Sequence, residues 1–304
     1  MIDILLATCN GEAYLAQQLD SIMSQTFQDF RILIQDDGSR DRTLEIVRQY
    51  CAAYPEKILL CREKGPMGGA AQNFLSLTAR ASGAYAAFCD QDDVWLPDKL
   101  EASLAAIRQL EEEDGGTGPA LVFSGVCPVN NNLESLPHPP VDSSISLEFS
   151  RLLVQNRASG CTMLCNRALY TRLGAYDSRI LMHDWWALLV AASLGRVACL
   201  PRELVLYRQH GANAVGYTGR RTLAYWLRRA GQEKLFQKKY GYYDQARLLE
   251  QRLGEELKAP EHAVLQDFLA IPKKRSKLRR IRALRAGGFR KDSAMAQAFF
   301  MISI

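Results

Sequence analysis

The N-terminal third of the chain alternates short apolar runs with segments of helical periodicity, and this alternation constrains the fold more than any other feature. Apolar residues recur at helical spacing after each run, for instance in Ala13–Ser24 and Arg42–Tyr54. Strands that alternate with helices pair in parallel, so the sequence predicts an α/β fold with a doubly wound, mostly parallel sheet. The four strands predicted in this part end at Thr8, Gln35, Cys61 and Asp90.

Polar residues lie at the C-terminal ends of three of these strands. They are Thr8-Cys9-Asn10, Asp36-Asp37 and Asp90-Gln91-Asp92. In open α/β sheets, ligands bind outside the carboxyl ends of the strands. We therefore expect all three groups to lie on one rim of the sheet, which is the first candidate site.

The segment Asp90–Asp93 places three carboxylates in four positions directly after an apolar run. Crowded carboxylates repel one another and lose hydration, and a divalent cation that carries substrate phosphates would offset both costs. The alternative is a polar strand-to-helix loop with an Asp cap. The segment is called the acidic loop below.

A second unusual cluster, His183-Asp184-Trp185-Trp186, opens an apolar helix. Asp184 is either a helix N-cap or a buried base beside aromatic rings on which a sugar can stack. His210 follows a predicted strand, Val197–Leu206, in a loop rich in Gly and Asn. It is a metal ligand, a phosphate contact or an exposed loop histidine.

Composition and missing motifs exclude several classes of protein. The 304 residues, 48% of them hydrophobic, support one large or two modest domains, and the longest apolar run, Trp185–Leu194, is too short to cross a membrane. Neither a GxGxxG fingerprint nor a P-loop occurs, which disfavours dehydrogenases and NTPases. The eight scattered cysteines lack zinc-site spacing, so we expect reduced thiols in a cytoplasmic protein without a secretion signal.

Five segments together resemble the inverting glycosyltransferase family 2, which has the GT-A fold, and within it the bacterial rhamnosyltransferase-like enzymes. The resemblance covers about Ile2–Gly216. In the family's order, the segments are ATCNGEAYLAQQLDSIMSQTFQDFRILIQDDGSRDRT, FCDQDDVWLPDKL, SGCTMLCNRAL, HDWW and YRQHGANAVG. Each is moderately specific alone, and five in order make a strong match.

The resemblance implies a role for each matching residue. Asp184 matches the catalytic base, Asp92 and His210 match the ligands of Mg²⁺ or Mn²⁺, and Asp90 matches the ribose side of the DXD motif. The nucleoside pocket would be lined by Thr8, Asn10, Glu12 and the base-binding Asp37, and the sugar or acceptor pocket by Gln72, Asn73, Asp93, Trp95, His183, Trp185 and Trp186. Many relatives have Glu-Asp where this chain has His183-Asp184, so His183 is a second candidate for the base.

The implied reaction is a single displacement that inverts the anomeric carbon, with the cation on the diphosphate leaving group. The donor would be dTDP-rhamnose or a UDP-hexose, because Asp37 would bind either pyrimidine. The acceptor would be a glycan or a lipid-linked sugar of bacterial surface polysaccharide, such as O-antigen or cell wall. A nucleotidyltransferase is the alternative enzyme, but Thr8–Ala13 lacks the Gly-rich basic loop that it needs.

The C-terminal region is basic. From Arg220 onward the chain has 20 Lys and Arg against 8 Asp and Glu, whereas the preceding residues have 18 against 25. We predict a glycosyltransferase domain at 1–217 and a basic helical region at 218–304, which either packs on the core or meets anionic lipid on the inner face of the membrane. No motif supports nucleic-acid binding. The alternative function, suggested by these charges alone, is that of a non-catalytic adaptor that binds a membrane or a nucleic acid.

The apolar end of the chain, Ala294–Ile304, is too short to span a membrane. It would dock into the core, into a partner subunit of a homo-oligomer, or into the membrane interface.

Overall fold

A computed structural model describes residues 1–61, 68–113, 115–116, 118–142, 144–210 and 234–304. Its centre is an eight-stranded sheet in the order β3-β2-β1-β4-β7-β6-β8-β5. The strands are β1 Ile2–Thr8, β2 Phe30–Asp36, β3 Ile58–Leu60, β4 Tyr85–Asp90, β5 Val94–Trp95, β6 Ala120–Val129, β7 Met163–Asn166 and β8 Arg196–Arg208. This mixed α/β architecture confirms the predicted fold class.

Helices connect the strands and cover the sheet. Those of the first part are α1 Leu15–Met23, α2 Thr43–Ala53, α3 Ala70–Thr78, α4 Lys99–Glu113, α5 Phe149–Leu152, α6 Arg167–Tyr170 and α7 His183–Leu194. The C-terminal region adds α8 Lys234–Leu253, α9 Ala259–Ala270, α10 Lys277–Ala286 and α11 Ala294–Ser303. Among the described residues, no helix combines the length and the apolar character needed to cross a bilayer.

The parallel half of the sheet brings three chain segments to one rim. β1 pairs in parallel with both β2 and β4, and the register sets Thr8 opposite Asp36 and Ala7 opposite Asp90. These strands are buried on both faces, as parallel strands between helical layers are, which explains their continuous apolar runs. The expected common rim is therefore confirmed.

The antiparallel half brings the end of β8 to the same rim. β5 follows the acidic loop and pairs antiparallel with β8, with Val94 opposite Leu206. Because β5 has only two residues, the loop before it stays next to the residues that follow Leu206 in the chain. His210 thus reaches the acidic loop from a distant part of the sequence.

The C-terminal helices share a hydrophobic core with the sheet. Leu249, Phe268 and Phe300 are buried in one cluster with Phe88 of β4 and Trp186 of α7. The apolar end of the chain therefore packs in part on this core. The predicted domain boundary at 217/218 lies outside the described residues and stays a prediction.

Two local predictions were too long. The helix expected over Ile145–Gln155 is only the single turn of α5. The strand expected over Ser159–Cys165 begins only at Met163, because Gly160–Thr162 forms a 3₁₀ turn. This turn carries Gly160 to the start of α7, where it contributes to the site.

Candidate functional site

Asp36, at the end of β2, organises the side of the rim where the nucleoside pocket is predicted. Its carboxylate accepts hydrogen bonds from the Thr8 hydroxyl (2.8 Å), from the backbone N–H groups of Gly38 and Ser39 (3.0 and 2.7 Å), and from the Ser39 hydroxyl. Asp36 is only 3% exposed. The sequence singled out Thr8 and Asp37, but the residue that holds this turn is the first acid of the Asp36-Asp37 pair.

Asn10 and Glu12 tie the turn after β1 to the loop before α2. Asn10 has a positive φ of 51°, and its side-chain oxygen accepts from the backbone N–H of Arg40 (2.9 Å). The Glu12 carboxylate accepts from the backbone N–H of Arg42 (2.9 Å) at the start of α2. Both side chains lie at the predicted pocket and stabilise its wall.

Asp37 directly follows β2, and its carboxylate lies beside the start of α3. Its two carboxylate oxygens accept from the backbone N–H groups of Gly68 (3.3 Å) and Gly69 (3.0 Å), which precede that helix. Asn73 is buried, and its amide donates to the backbone oxygen of Gln35 (3.0 Å), so it fastens α3 to β2. Gln72, on the same helix, is the partly exposed member of this pair.

The acidic loop is fixed to β1 by Gln91. The Gln91 side-chain amide accepts from the backbone N–H of Cys9 and donates to the backbone oxygen of Cys9, both at 2.8 Å. This paired contact resembles one step of a β-ladder. It explains why the middle residue of Asp90-Gln91-Asp92 is an amide, whose donor and acceptor both find a partner.

Arg208, at the end of β8, holds the acidic loop in place. The sequence did not single it out. It is 1% exposed, and its guanidinium donates to the backbone oxygens of Asp92 (2.9 Å) and Asn131 (2.6 Å) and to the side chain of Gln17. Its backbone N–H donates to the Asp93 carboxylate (3.2 Å). Asp93 is fully buried, so its predicted role in shaping the pocket can only be indirect.

Asp92 and His210 meet at the rim. The Nε2 atom of His210 lies 2.8 Å from the Asp92 carboxylate, and the imidazole stacks on the ring of Tyr14, with 4.9 Å between the centroids. Both side chains keep partial exposure, 13% for His210 and 18% for Asp92. The predicted ligand pair is therefore brought together on the accessible side of the loop.

Charge is concentrated around Asp90. Burial, followed by repulsion from Asp92 and Asp184, raises the pKa of Asp90 to about 8. Burial and the charges of Asp90 and Asp92 also raise the pKa of Asp93 well above its usual value. Carboxylates held in this way favour a cation or a proton beside them.

Lys99 lies behind the loop, with its ammonium 3.7 Å from the centre of the Trp95 ring. Burial lowers the pKa of this lysine to about 8. Trp95 is itself only 2% exposed, and its ring supports Lys99. Trp95 can therefore shape the predicted sugar pocket only indirectly, as Asp93 does.

Asp184 reaches the rim from the first turn of α7. Burial raises its pKa to about 6, while hydrogen bonds from the N–H of Trp185, from the Asn156 side chain and from the N–H of Gly160 act in the opposite direction. The Trp185 N–H lies 2.6 Å from the carboxylate. Asp184 is 9% exposed and close enough to raise the pKa of Asp90 by charge repulsion.

Gly160 makes room for this start of α7. A Cβ atom on Gly160 would lie 2.6 Å from Nε2 of His183 and 3.5 Å from Cβ of Asp184. The glycine in SGCTML is thus explained by close packing under the His-Asp pair. Neither Asn156 nor Gly160 was singled out as a site residue by the sequence.

Two other members of the His-Asp-Trp-Trp cluster, His183 and Trp186, point into the protein. The His183 ring stacks on Phe74 (3.9 Å between centroids), and burial lowers its pKa to about 3. Trp186 is fully buried and donates to the backbone oxygen of Leu173 (2.9 Å). These positions argue against His183 as a base and against Trp186 as a stacking platform, because neither ring reaches the rim.

Trp185 is partly exposed and donates to the backbone oxygen of Leu152 (2.7 Å).

The rim suits a divalent cation. Asp92 and His210 offer oxygen and nitrogen donors at hydrogen-bond distance from each other, and Asp90 adds a carboxyl group whose pKa is raised by burial and by the charges of Asp92 and Asp184. Mg²⁺ and Mn²⁺ take such donors, with substrate phosphates completing the shell. The residues present therefore fit the expected metal.

Comparison with known proteins agrees with this geometry. Glycosyl transferase family 2 matches residues 3–173, which is more than half of the chain. The dTDP-rhamnosyl transferase RfbG of Shigella flexneri is 29% identical over an alignment of 228 residues, which covers 69% of this chain and 73% of RfbG.

Solved structures share the fold. S. aureus TarS 1–349 in complex with UDP-GlcNAc superposes with a TM-score of 0.59 at 18% identity, covering 99% of this chain and 79% of that one. The mannosyltransferase PcManGT from Pyrobaculum calidifontis, in complex with GDP-Man and Mn²⁺, gives a TM-score of 0.54 at 16% identity, covering 99% and 85%. These likenesses extend over almost the whole chain, and with the family match they show that it has the GT-A fold and belongs to glycosyl transferase family 2.

Proposed function

We propose that this protein is an inverting glycosyltransferase that moves a sugar from a nucleotide donor to a hydroxyl of a glycan or lipid-linked acceptor. One observation carries the proposal. Asp184, a buried carboxyl group with a pKa of about 6, lies close enough to Asp90 to raise the pKa of that residue, and His210 meets Asp92 of the acidic loop. The rim thus has a base on one side and phosphate-binding chemistry on the other.

Asp184 acts as the general base. It takes the proton of the acceptor hydroxyl as that oxygen forms a bond to the anomeric carbon. The bond from the anomeric carbon to the diphosphate oxygen breaks at the same time, and its electron pair leaves with the diphosphate. Because attack and departure occur on opposite faces, one carboxylate suffices and the anomer is inverted.

The pKa of Asp184 suits this role. At neutral pH a carboxyl group with a pKa of about 6 is mostly ionised, and it is a stronger base than an ordinary aspartate. Burial supplies this gain, and the hydrogen bonds from Asn156 and Gly160 keep the group ionisable.

Asp92 and His210 would hold Mg²⁺ or Mn²⁺ against the diphosphate, with Asp90 towards the ribose. The bound cation would supply positive charge that stabilises the departing phosphate oxygens. Thr8, Asn10, Glu12 and Asp37 would form the nucleoside pocket. Gln72 and Trp185 are the partly exposed members of the predicted sugar pocket.

The donor that we favour is dTDP-rhamnose, because RfbG, the dTDP-rhamnosyl transferase, is 29% identical over most of both chains. A UDP-hexose is the alternative, since TarS binds UDP-GlcNAc on the same fold. We place the reaction in surface polysaccharide synthesis on the cytoplasmic side of the membrane. The eight cysteines, all within the described residues and all free thiols, support that compartment.

The test is a panel of dTDP-, UDP- and GDP-sugars with Mn²⁺ or Mg²⁺, scored by release of the nucleoside diphosphate and by thermal stabilisation. We expect dTDP-rhamnose to be hydrolysed slowly without an acceptor and to raise Tm. Asp92→Ala serves as the folded, inactive control. If the folded protein neither cleaves nor is stabilised by any donor of the panel, the proposal is wrong.

A further inference from the structure

Residues 273–291 of the C-terminal region carry a strongly basic surface, which is called the basic face below. Between Phe268 and Lys291 the chain has ten Lys and Arg and no Asp or Glu. Helix α10 lies in the middle of this stretch. Its Leu284 is fully buried against the core, whereas most of its cations are exposed. The cations of α10 therefore lie on the solvent side of a helix that is packed on the core.

An open cleft of about 560 Å³ runs between α10 and the turn that precedes it. Five cations line this cleft: Lys273, Lys274, Arg275, Arg279 and Arg282. Within the part of the chain that the structure describes, none of the five is paired with a carboxylate. Like charges gathered in this way repel one another, so the surface favours a partner that brings several anions.

The cleft is held in shape by hydrogen bonds to the chain end. The Arg280 guanidinium donates to the backbone oxygens of Lys274 (2.8 Å) and Ile304 (3.2 Å). The Lys277 ammonium donates to the backbone oxygen of Ile302 (2.8 Å). These contacts fasten the turn before α10 and the end of α11 to the same helix.

Two large apolar side chains are exposed near these cations. Leu278 is 70% exposed and Ile302 is 67% exposed. The Lys277 ammonium joins α10, which carries Leu278, to the end of the chain that carries Ile302. Exposed aliphatic side chains among cations are typical of segments that lie in the interface of an anionic membrane. A nucleic acid would use the cations but would gain little from Leu and Ile, since it prefers aromatic stacking.

We propose that this basic face docks on a bilayer that contains anionic phospholipid. Headgroup phosphates bind at the cleft, and Leu278 and Ile302 enter the boundary between headgroups and acyl chains. The inference goes beyond the proposed transfer reaction and does not depend on it, because binding to lipid needs none of the rim residues. Docking of this kind would place the protein beside lipid-linked substrates.

The experiment is co-sedimentation of the full-length protein with vesicles of phosphatidylcholine alone and of phosphatidylcholine mixed with phosphatidylglycerol. We expect binding to the anionic vesicles that is roughly tenfold or more above that to the neutral ones and that falls at high salt. The triple variant Lys274→Glu, Arg279→Glu, Arg282→Glu should lose at least about tenfold in binding. Leu278→Ser with Ile302→Ser should weaken binding several-fold and leave its salt dependence unchanged.

A matched control carries the same change in net charge elsewhere. Arg48→Glu, Arg80→Glu and Arg108→Glu alter exposed positions on or next to other helices and should bind within about twofold of the wild type. Should the first triple variant fold poorly, replacement of the same three residues by Gln gives the corresponding test. Donor hydrolysis should persist in all of these variants, which separates this inference from the proposed function.

Four results would overturn the proposal: no binding to anionic vesicles, equal binding to neutral vesicles, equal losses in the control variant, or tighter binding to an oligonucleotide than to anionic vesicles at the same salt.

Discussion

The imidazole of His210 lies 2.8 Å from the carboxylate of Asp92, although 118 positions separate the two residues in the chain. The contact depends on the pairing of β5 with β8, because this short antiparallel pair sets the end of β8 beside the acidic loop. Two residues that the sequence connects only through a family resemblance are thus neighbours for a topological reason.

Removal of His210 should weaken metal activation. In His210→Ala, Asp92 loses its imidazole partner, and the proposed metal shell would lose a nitrogen donor. We expect the Mn²⁺ concentration for half-maximal donor hydrolysis to rise by at least about tenfold. A Mn²⁺ titration measures this shift. His262→Ala is the control, because His262 pairs with Glu250 in the C-terminal region (3.2 Å). Equal behaviour of the two variants would remove His210 from the metal site.

Asp184→Asn should abolish the base while leaving the donor site intact. General-base catalysis contributes roughly 10²- to 10⁴-fold, so kcat should fall by that factor while KM for the donor stays within a few-fold. Transfer kinetics at saturating acceptor measure both constants. A variant that keeps more than a tenth of the wild-type kcat would contradict the assignment.

The pH profile gives an independent test of the same residue. The pKa of Asp184 is raised to about 6, and a base must be deprotonated to act, so kcat should rise with pH through about 6 and level off above 7. His183, whose pKa is lowered to about 3, stays neutral over this range. The inflection should therefore persist in His183→Gln. An inflection that disappears in His183→Gln would instead identify His183 as the titrating group.

The sequence predicts the rim well because its signals are local. Apolar runs ending in polar residues predict both the strands and their C-terminal ends, and parallel pairing then gathers Thr8, Asp36 and Asp90. The direction in which each side chain points is a tertiary property. HDWW has two adjacent Trp residues, and only packing decides that Trp186 enters the core while Trp185 stays partly exposed.

The supporting residues were harder to predict because their partners are distant in the chain. Arg208 donates to Gln17, Asp92 and Asn131, and these three contacts span at least 77 positions each. No periodicity or local motif reports such contacts. An arginine next to the end of an apolar strand was the one available signal, and it does not name its partners.

Arg208→Lys should loosen the acidic loop. A lysine ammonium is a point donor and cannot reproduce the fork that reaches Asp92, Asn131 and Gln17, so buried acceptors lose their partners. We expect the free energy of unfolding to fall by about 2–4 kcal/mol in urea denaturation.

Arg202→Lys is the control on the same strand, because Arg202 is exposed, and its ion pair with Asp98 contributes about 1 kcal/mol or less. Similar losses in the two variants would show that Arg208 has no special bracing role.

Gly160→Ala should displace the catalytic segment by a single methyl group. Its Cβ would lie 2.6 Å from Nε2 of His183, so the start of α7 must shift, and Asp184 with it. Overpacking of this kind costs about 1–3 kcal/mol, and kcat should fall while KM for the donor changes little. Ser159→Ala, on the exposed neighbour, should leave both stability and kcat unchanged.

Removal of the ring in a Gly160→Ala, His183→Ala double variant should relieve the clash, so the two losses should be less than additive. Additive losses in this double-mutant cycle would show that Gly160 does not act through His183.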